Sequence, residues 1–236
     1  MSNNIHIIDL GGVNVYLIST QSGFVLVDTG GHMVMDKEFS DRRELLLQAL
    51  EEAGCTKDNL DLIILTHGDN DHVANAVYLR EQFEAAVALH PDDVELVNNP
   101  TVEMIMKSFN YHSVLYRVVF KVINKMIARI TEKTLLDFVK FKPDILLTED
   151  FDLKEYGLDA KVLHIPGHTP GSIGILFKDG SFITGDTFTN IKKPTKALNA
   201  VNFNQMEESI RRLEGFKIKK IYPGHGKVFD YAEMKW

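Results

Sequence analysis

One cysteine in 236 residues excludes an internal disulfide. Cys55 stands in AGCTKD, which reads as a helix-to-strand turn with no histidine nearby, so it is taken as a small structural residue and not a nucleophile. No run approaches the roughly 18 apolar residues of a membrane span. The N-terminal MSNNIHIIDLGG has no charged segment leading into an apolar one, so no export signal is expected and the predicted location is cytoplasmic. Basic residues are in deficit: the net charge is −7, which argues against nucleic acid as a partner. With 44% hydrophobic residues, the chain has enough apolar material for a sizeable core, and a single domain over 1–236 is expected.

The pattern that is present begins with strands. IHIIDL (5–10), VNVYLIS (13–19) and FVLVDT (24–29) are short β-rich runs separated by Gly-Gly and Gln-Ser-Gly turns, as in a meander. Residues Glu38 to Ala53 read as a helix with Leu45, Leu46, Ala49 and Leu50 on its apolar stripe and Gly54 as its stop. LDLIIL (60–65) is a buried strand, Val73 to Phe83 a helix, AAVALH (85–90) a strand, and Pro91 opens a further helix. The second half repeats this style with AKVLHI (160–165), SIGILF (172–177), SFITGD (181–186), a helix over about 203–214, and KIKKIYP (217–223).

Between the halves, residues 101–142 read as a mostly helical insertion. Leu115, Val118, Val119, Val122, Ile123, Met126, Ile127 and Ile130 follow helical spacing, with Arg117, Lys121, Lys125, Arg129 and Lys133 between them. The plain expectation is a helix packed on the body with a solvated cationic side. A lid over a cleft, a contact with a membrane surface through 115–133, or a subunit contact in an oligomer are the sharper ones. Met104, Met106, Phe109, Tyr111 and Tyr116 are candidates to line an apolar pocket.

Chemistry concentrates in THGDNDH at 66–72. His67 and Asp69 are two apart in an extended stretch, so both side chains can face one metal. Asp71 and His72 follow at the expected start of a helix, where the turn can aim them at a second metal. IPGHTPGS then places His168 in a loop, SFITGDT places Asp186 at a strand end, and YPGHGK places His225 just past the last strand. A single loop histidine is usually solvated. Four histidines and three aspartates, each at a strand end, are a weak case for coincidence. His164 and His90 are candidates for supporting positions, and a lone D-T-G cannot make a two-carboxylate protease.

H-x-D-x-D-H, then G-H-T-P-G-S, T-G-D-T and P-G-H-G, after an L-V-D-T-G, resembles the metallo-β-lactamase fold superfamily over residues 24 to 226. The resemblance implies a four-layer αββα sandwich with a dinuclear metal site along one edge. It implies that His67, Asp69 and His168 hold one ion, that Asp71, His72 and His225 hold the other, and that Asp186 bridges them. Asp28 matches a supporting position behind the ligands. The implied chemistry is hydrolysis of an ester, lactone, thioester or phosphoester bond in a small-molecule substrate. A hydroxide shared by two ions about 3.5–4 Å apart would attack, and Asp71 would orient it.

Asp69 departs from the commoner H-x-H-x-D-H. Two divalent ions, three aspartates and a bridging hydroxide sum to zero charge, where a two-aspartate site keeps one positive charge. Oxygen ligands also favour harder ions, so iron or manganese stand beside zinc as candidate metals. Flavodiiron proteins of the same superfamily carry a carboxylate here, which makes a di-iron oxidoreductase the alternative function. With eleven residues after His225 there is no room for their flavodoxin-like domain, so an electron donor would be a separate protein. A metal-bound scaffold without turnover is the third alternative.

Overall fold

The computed structural model describes residues 4–32 and 40–234. Two six-stranded sheets form its centre. The first runs in the order β1 (Asn4–Asp9), β2 (Asn14–Ser19), β3 (Phe24–Val27), β4 (Leu60–Ile64), β5 (Ala86–Leu89) and β6 (Ile145–Leu146). Tight turns join β1 to β3 as an antiparallel meander, whereas β3 to β6 pair in parallel. Parallel neighbours need crossovers, and helical segments supply them. The second sheet comprises β7 (Ala160–His164), β8 (Ile173–Phe177), β9 (Ser181–Asn190), β10 (Thr195–Lys196), β11 (Lys220–Gly226) and β12 (Phe229–Asp230). Its order is β12-β11-β9-β8-β7, with β10 on β9.

Alternation along the strands decides the layering, because successive side chains leave opposite faces of a sheet. Tyr16, Ile18, Val25, Val27, Leu62 and Ile64 meet Val162, Ile173, Ile175 and Ile183 between the two sheets. Their neighbours Leu17, Leu26 and Ile63 point outward onto Leu46 and Leu50 of α1 (Arg43–Glu52) and Leu79 and Phe83 of α3 (Ala76–Phe83). On the other side, Leu163, Leu176, Phe182 and Ile221 face Met206, Ile210 and Leu213 of α7 (Phe203–Leu213). The result is the αββα sandwich. Strands apolar on both faces, such as β4, are what such a double burial requires.

Several boundaries differ from expectation. Helix α1 begins at Arg43, so Ser40–Arg42 lie before it, and positions 38 and 39 fall outside the described residues. The helix expected over 73–83 is two helices, α2 (Asn70–Val73) and α3, broken at Asn75. Asn75 is wholly buried, and its amide donates to the carbonyls of Thr29 and Asp41 at 2.9 and 2.8 Å, which ties this corner to the β3 loop. Strand β9 continues past Asp186 to Asn190, and His225 lies inside β11 and not beyond it. The parallel pairing of β9 with β11 shifts register at Pro223 and again before His225, and this irregularity turns both residues to one edge.

Residues 101–142 contain α5 (Val102–Ser108) and the 24-residue α6 (Val114–Asp137), following a proline-started 3₁₀ turn at 91–93 and α4 (Val94–Asn98). The packed face of α6 is not the expected apolar row. Ile127, Thr131 and Thr134 are buried, while Leu115, Val118, Val119, Val122 and Met126 are exposed. Apolar residues extend well beyond a single side of this helix, and the side turned to α5 is the one that packs. Phe109 stacks on Phe120 at 5.8 Å, and Tyr111 leans on Tyr116 and Phe120. Among the described residues no helix is long and apolar enough to cross a membrane.

Candidate metal centre

His67 and Asp69 leave the end of β4, and Asp71 and His72 follow within the single turn of α2. Asp69 is the residue before that turn, with extended backbone and no capping bond from its side chain, so its carboxylate is free to face inward. The loop after β7 brings His168, β9 brings Asp186, and β11 brings His225. All seven ligand candidates therefore converge, although Asp186 and His225, expected at a strand end and just past one, stand inside their strands.

The geometry falls into two adjoining groups. In the first, Asp69 Oδ2 is 3.8 Å from His67 Nε2 and 3.1 Å from His168 Nε2. In the second, Asp71 Oδ2 is 3.9 Å from His72 Nε2 and 3.3 Å from His225 Nε2. Asp186 lies between them: Oδ1 is 3.3 Å from His72 Nε2, and Oδ2 is 3.6 Å from His168 Nε2 and 3.1 Å from His225 Nε2. The rings of His67 and His72 are 4.2 Å apart, so the two groups share a wall.

Every inward Nε2 is prepared by a bond at Nδ1. His72 Nδ1 donates to Asp28 Oδ2 at 2.9 Å, His168 Nδ1 to the Asn199 carbonyl at 3.2 Å, and His225 Nδ1 to the Gly12 carbonyl at 2.6 Å. His67 Nδ1 donates to Thr66 Oγ1 at 2.9 Å, and that hydroxyl donates onward to Asp28 Oδ2 at 2.9 Å. With Nδ1 engaged by these partners, Nε2 is the nitrogen turned to the centre, and it offers a lone pair to a metal once its own proton has left. Asp28 also accepts from the Thr66 amide at 2.8 Å. Its φ of 64° is left-handed, a conformation in which aspartate is several-fold enriched among non-glycine residues, and it holds the carboxylate beneath β4.

Two glycines admit the loops. A Cβ on Gly224 would overlap Asp186 Oδ1 and stand 2.8 Å from His72 Cε1. Gly167, at φ 141°, has the backbone of Met206 where its Cβ would be, and this lets the His168 loop press onto α7.

Burial and charge shape the titration of the centre. Burial, reinforced by the neighbouring His72, lowers His67 to about 4. Burial also works against charge on His168, but the bond to Asp69 and the charges of Asp186 and Asp69 outweigh it and push it up to about 9. For Asp71, burial would raise the value, yet His72 and His225 bring it down to about 2. Three inward atoms, His67 Nε2, His72 Nε2 and Asp186 Oδ1, have no hydrogen-bond partner among the described residues. A buried polar atom left without a partner costs about 1–3 kcal/mol. Nitrogen and carboxylate donors in two groups of three, with a carboxylate between, fit a pair of divalent cations.

Asp93 was not anticipated. It is fully buried, and it accepts from the Gly68 amide at 2.8 Å, the Thr169 hydroxyl and the Gly171 amide, both at 2.6 Å. It thereby joins the His67-Asp69 stretch to the His168 loop. Burial raises its pKa to about 6 against the opposing effect of these bonds. Its only sequence signal is its place as the second acid of His-Pro-Asp-Asp, and acids are common at helix starts. Asn199 and Gly12 act through carbonyls and leave no signal. His164 and His90 are bonded to none of the seven directly: their rings stack at 3.9 Å, and His164 Nε2 bonds the Pro170 carbonyl in the loop that carries His168. With Asp92 they form a separate group beside it.

A narrow cleft opens over the centre between Asp69, Asp71, Ile105, Phe109, Thr131 and Thr134, so α5 and α6 form its roof. Asn199 links roof and floor, since its side chain donates to the Ser108 carbonyl at 3.1 Å while its own carbonyl holds His168. Cys55 is buried, which pushes its thiol up to about 11 and leaves it unreactive at neutral pH.

The family model described as the metallo-beta-lactamase superfamily matches residues 8–225. The chain belongs to the metallo-beta-lactamase superfamily. Among curated relatives of this superfamily member, a "Probable metallo-hydrolase" of Methanocaldococcus jannaschii is 29% identical over 213 residues, covering 86% of this chain and 89% of the relative. The crystal structure of the B3 metallo-beta-lactamase BLEG-1 is 22% identical, with a TM-score of 0.68 over 98% of this chain and 95% of that one. The protein TTHA1623, solved in a di-iron-bound form, is 24% identical with a TM-score of 0.61 over 92% and 89%. At these identities the solved structures establish the superfamily fold.

Proposed function

We propose that this chain is a metal-dependent hydrolase of a small molecule with an ester, lactone, thioester or phosphoester bond. The observation that carries the reading is the convergence of four Nε2 atoms and three carboxylates, with Asp186 3.6 Å from His168 in one group and 3.3 and 3.1 Å from His72 and His225 in the other. His67, Asp69 and His168 would hold one ion, Asp71, His72 and His225 the second, and Asp186 would face both. When bound, such a pair lowers the pKa of water towards neutrality and polarises the oxygen of the attacked group.

The residues of the chain do the rest. Asp71, whose carboxylate faces both His72 and His225, orients the attacking water and relays its proton to the departing oxygen or sulfur. Water's OH ends on the acyl or phosphoryl group and its proton on the leaving group, so no covalent enzyme intermediate is required. Ile105 and Phe109 in the roof of the cleft favour an apolar portion next to the scissile bond. "Probable metallo-hydrolase" is the description of the Methanocaldococcus jannaschii relative, and it agrees with this reading.

Asp69 supports a second reading, a di-iron oxidoreductase, because an added carboxylate selects harder ions. Metal analysis of protein purified aerobically and anaerobically without added metal separates the two, when combined with turnover assays on the four substrate classes. Zinc with ester, lactone, thioester or phosphoester cleavage supports hydrolysis. Tightly held iron with oxygen or nitric oxide reduction, and no hydrolysis, overturns it. Protein that takes up no metal in any medium would be a scaffold.

A further inference from the structure

Helix α6 turns one side to the protein and leaves a second, apolar side in solvent. Leu115, Val118, Val119, Val122 and Met126 are 68%, 56%, 46%, 78% and 45% exposed. At about 100° per residue these five fall within an arc of roughly 100°, while Ile127, Thr131 and Thr134 lie on a separate inward arc. Exposed apolar residues scattered singly are ordinary, but a continuous row over three turns of one helix marks a surface that is covered in use.

Beside that row runs a second one. Arg117, Lys121 and Lys125, all exposed, occupy the adjoining arc, so the outward side of α6 is half apolar and half basic. The helix carries five basic residues against Glu132 and Asp137, a balance of +3 inside a chain of −7, which leaves −10 on the remainder. The protein is therefore electrically lopsided, with α6 as its cationic pole. A second copy docking α6 against α6 would press two basic rows together. An anionic lipid surface satisfies both rows, apolar side chains entering the headgroup boundary and cations meeting phosphates.

We propose that α6 docks this chain on an anionic lipid surface, with Leu115, Val118, Val122 and Met126 inserted and Arg117, Lys121 and Lys125 on the headgroups. The helix lies along the surface and does not cross it. Its opposite side contributes Thr131 and Thr134 to the roof of the metal cleft, so docking sets that roof against the lipid. The inference stands on the helix alone and does not depend on which reaction the metal centre performs.

Sedimentation with vesicles of equal parts phosphatidylglycerol and phosphatidylcholine, and with phosphatidylcholine alone, tests it on the full-length protein. Binding to the anionic vesicles that weakens with salt is expected, with little binding to the neutral ones. Val122→Glu touches no packed group and should reduce partitioning by roughly tenfold; Lys121→Glu with Lys125→Glu should reduce it by a further order of magnitude or more. No binding to anionic vesicles at low salt overturns the proposal, as does equal binding to both vesicle types. Binding that ignores Val122→Glu overturns insertion. A concentration-dependent dimer abolished by Val122→Glu, without vesicle binding, assigns the face to a second copy instead.

Discussion

The carboxylate of Asp69 lies 3.1 Å from Nε2 of His168, at the position where the commoner H-x-H-x-D-H pattern has a histidine. The fold tolerates this exchange because Asp69 reaches inward from an extended residue just before α2, with no capping duty to perform. Asp69→His is expected to keep the fold and move metal preference towards zinc. Elemental analysis of both proteins expressed side by side checks it; an unchanged metal profile would remove Asp69 as the determinant.

Asp28 serves two of the candidate ligand histidines at once, His72 directly and His67 through Thr66. Asp28→Asn keeps the left-handed backbone, which asparagine accepts, but loses one strong acceptor. Metal affinity should fall by roughly 10–100-fold with little change in folding. Asp28→Ala adds backbone strain of about 1–2 kcal/mol, so it should also lower the melting temperature. Competition with a chelator and thermal unfolding distinguish the two effects.

Gly224→Ala places a methyl group into Asp186 and against His72. The expected outcome is a displaced Asp186, loss of one of two bound ions, and a stability loss of about 1–3 kcal/mol. Metal stoichiometry on the folded variant is the deciding measurement, since two ions retained would show that this end of β11 can retreat.

Asp93→Ala should strand the Gly68 and Gly171 amides in the interior. Each buried donor without a partner costs about 1–3 kcal/mol, so a substantial loss of stability is expected together with weaker metal binding at His67, Asp69 and His168. Asp93→Asn keeps an acceptor and should fall between. Equal behaviour of the two variants in denaturant and metal titrations would reduce Asp93 to simple packing.

Metal uptake should depend on pH through protons that must leave. In the metal-free protein His168, pushed up to about 9, is protonated at neutral pH, and His72 and His225 are raised in the same direction against the effect of burial. His67, near 4, is already neutral. Apparent affinity should therefore rise between pH 6 and 9, by roughly tenfold per unit for each proton released. The sign for stability is the reverse. A histidine with a raised folded pKa stabilises the metal-free protein fully below about 6.5, and that contribution is lost as pH rises through about 9. Calorimetric titration in buffers of different ionisation enthalpy counts the protons; affinity that is flat over this range would contradict the charge assignment.

The sequence by itself determined much of this protein. Largely apolar runs such as NVYLIS and LDLII define strands through side-chain burial, and the ordered motifs around His67, Asp69, Asp71, His72, His168, Asp186 and His225 mark the candidate ligands because that chemistry needs specific residue types. What it could not supply depends on partners distant in the chain. The shift of β9 against β11, which aims Asp186 and His225, is a property of two strands paired across more than thirty residues. Asp93 draws its role from Gly68, Thr169 and Gly171, and Asn199 from a carbonyl that every residue possesses. Helix α6 shows the limit most plainly. Its spacing announces a helix with an apolar row and a cationic one, but which side is buried depends on what it lies against, and only the tertiary structure leaves Val122 in water and Thr131 inside.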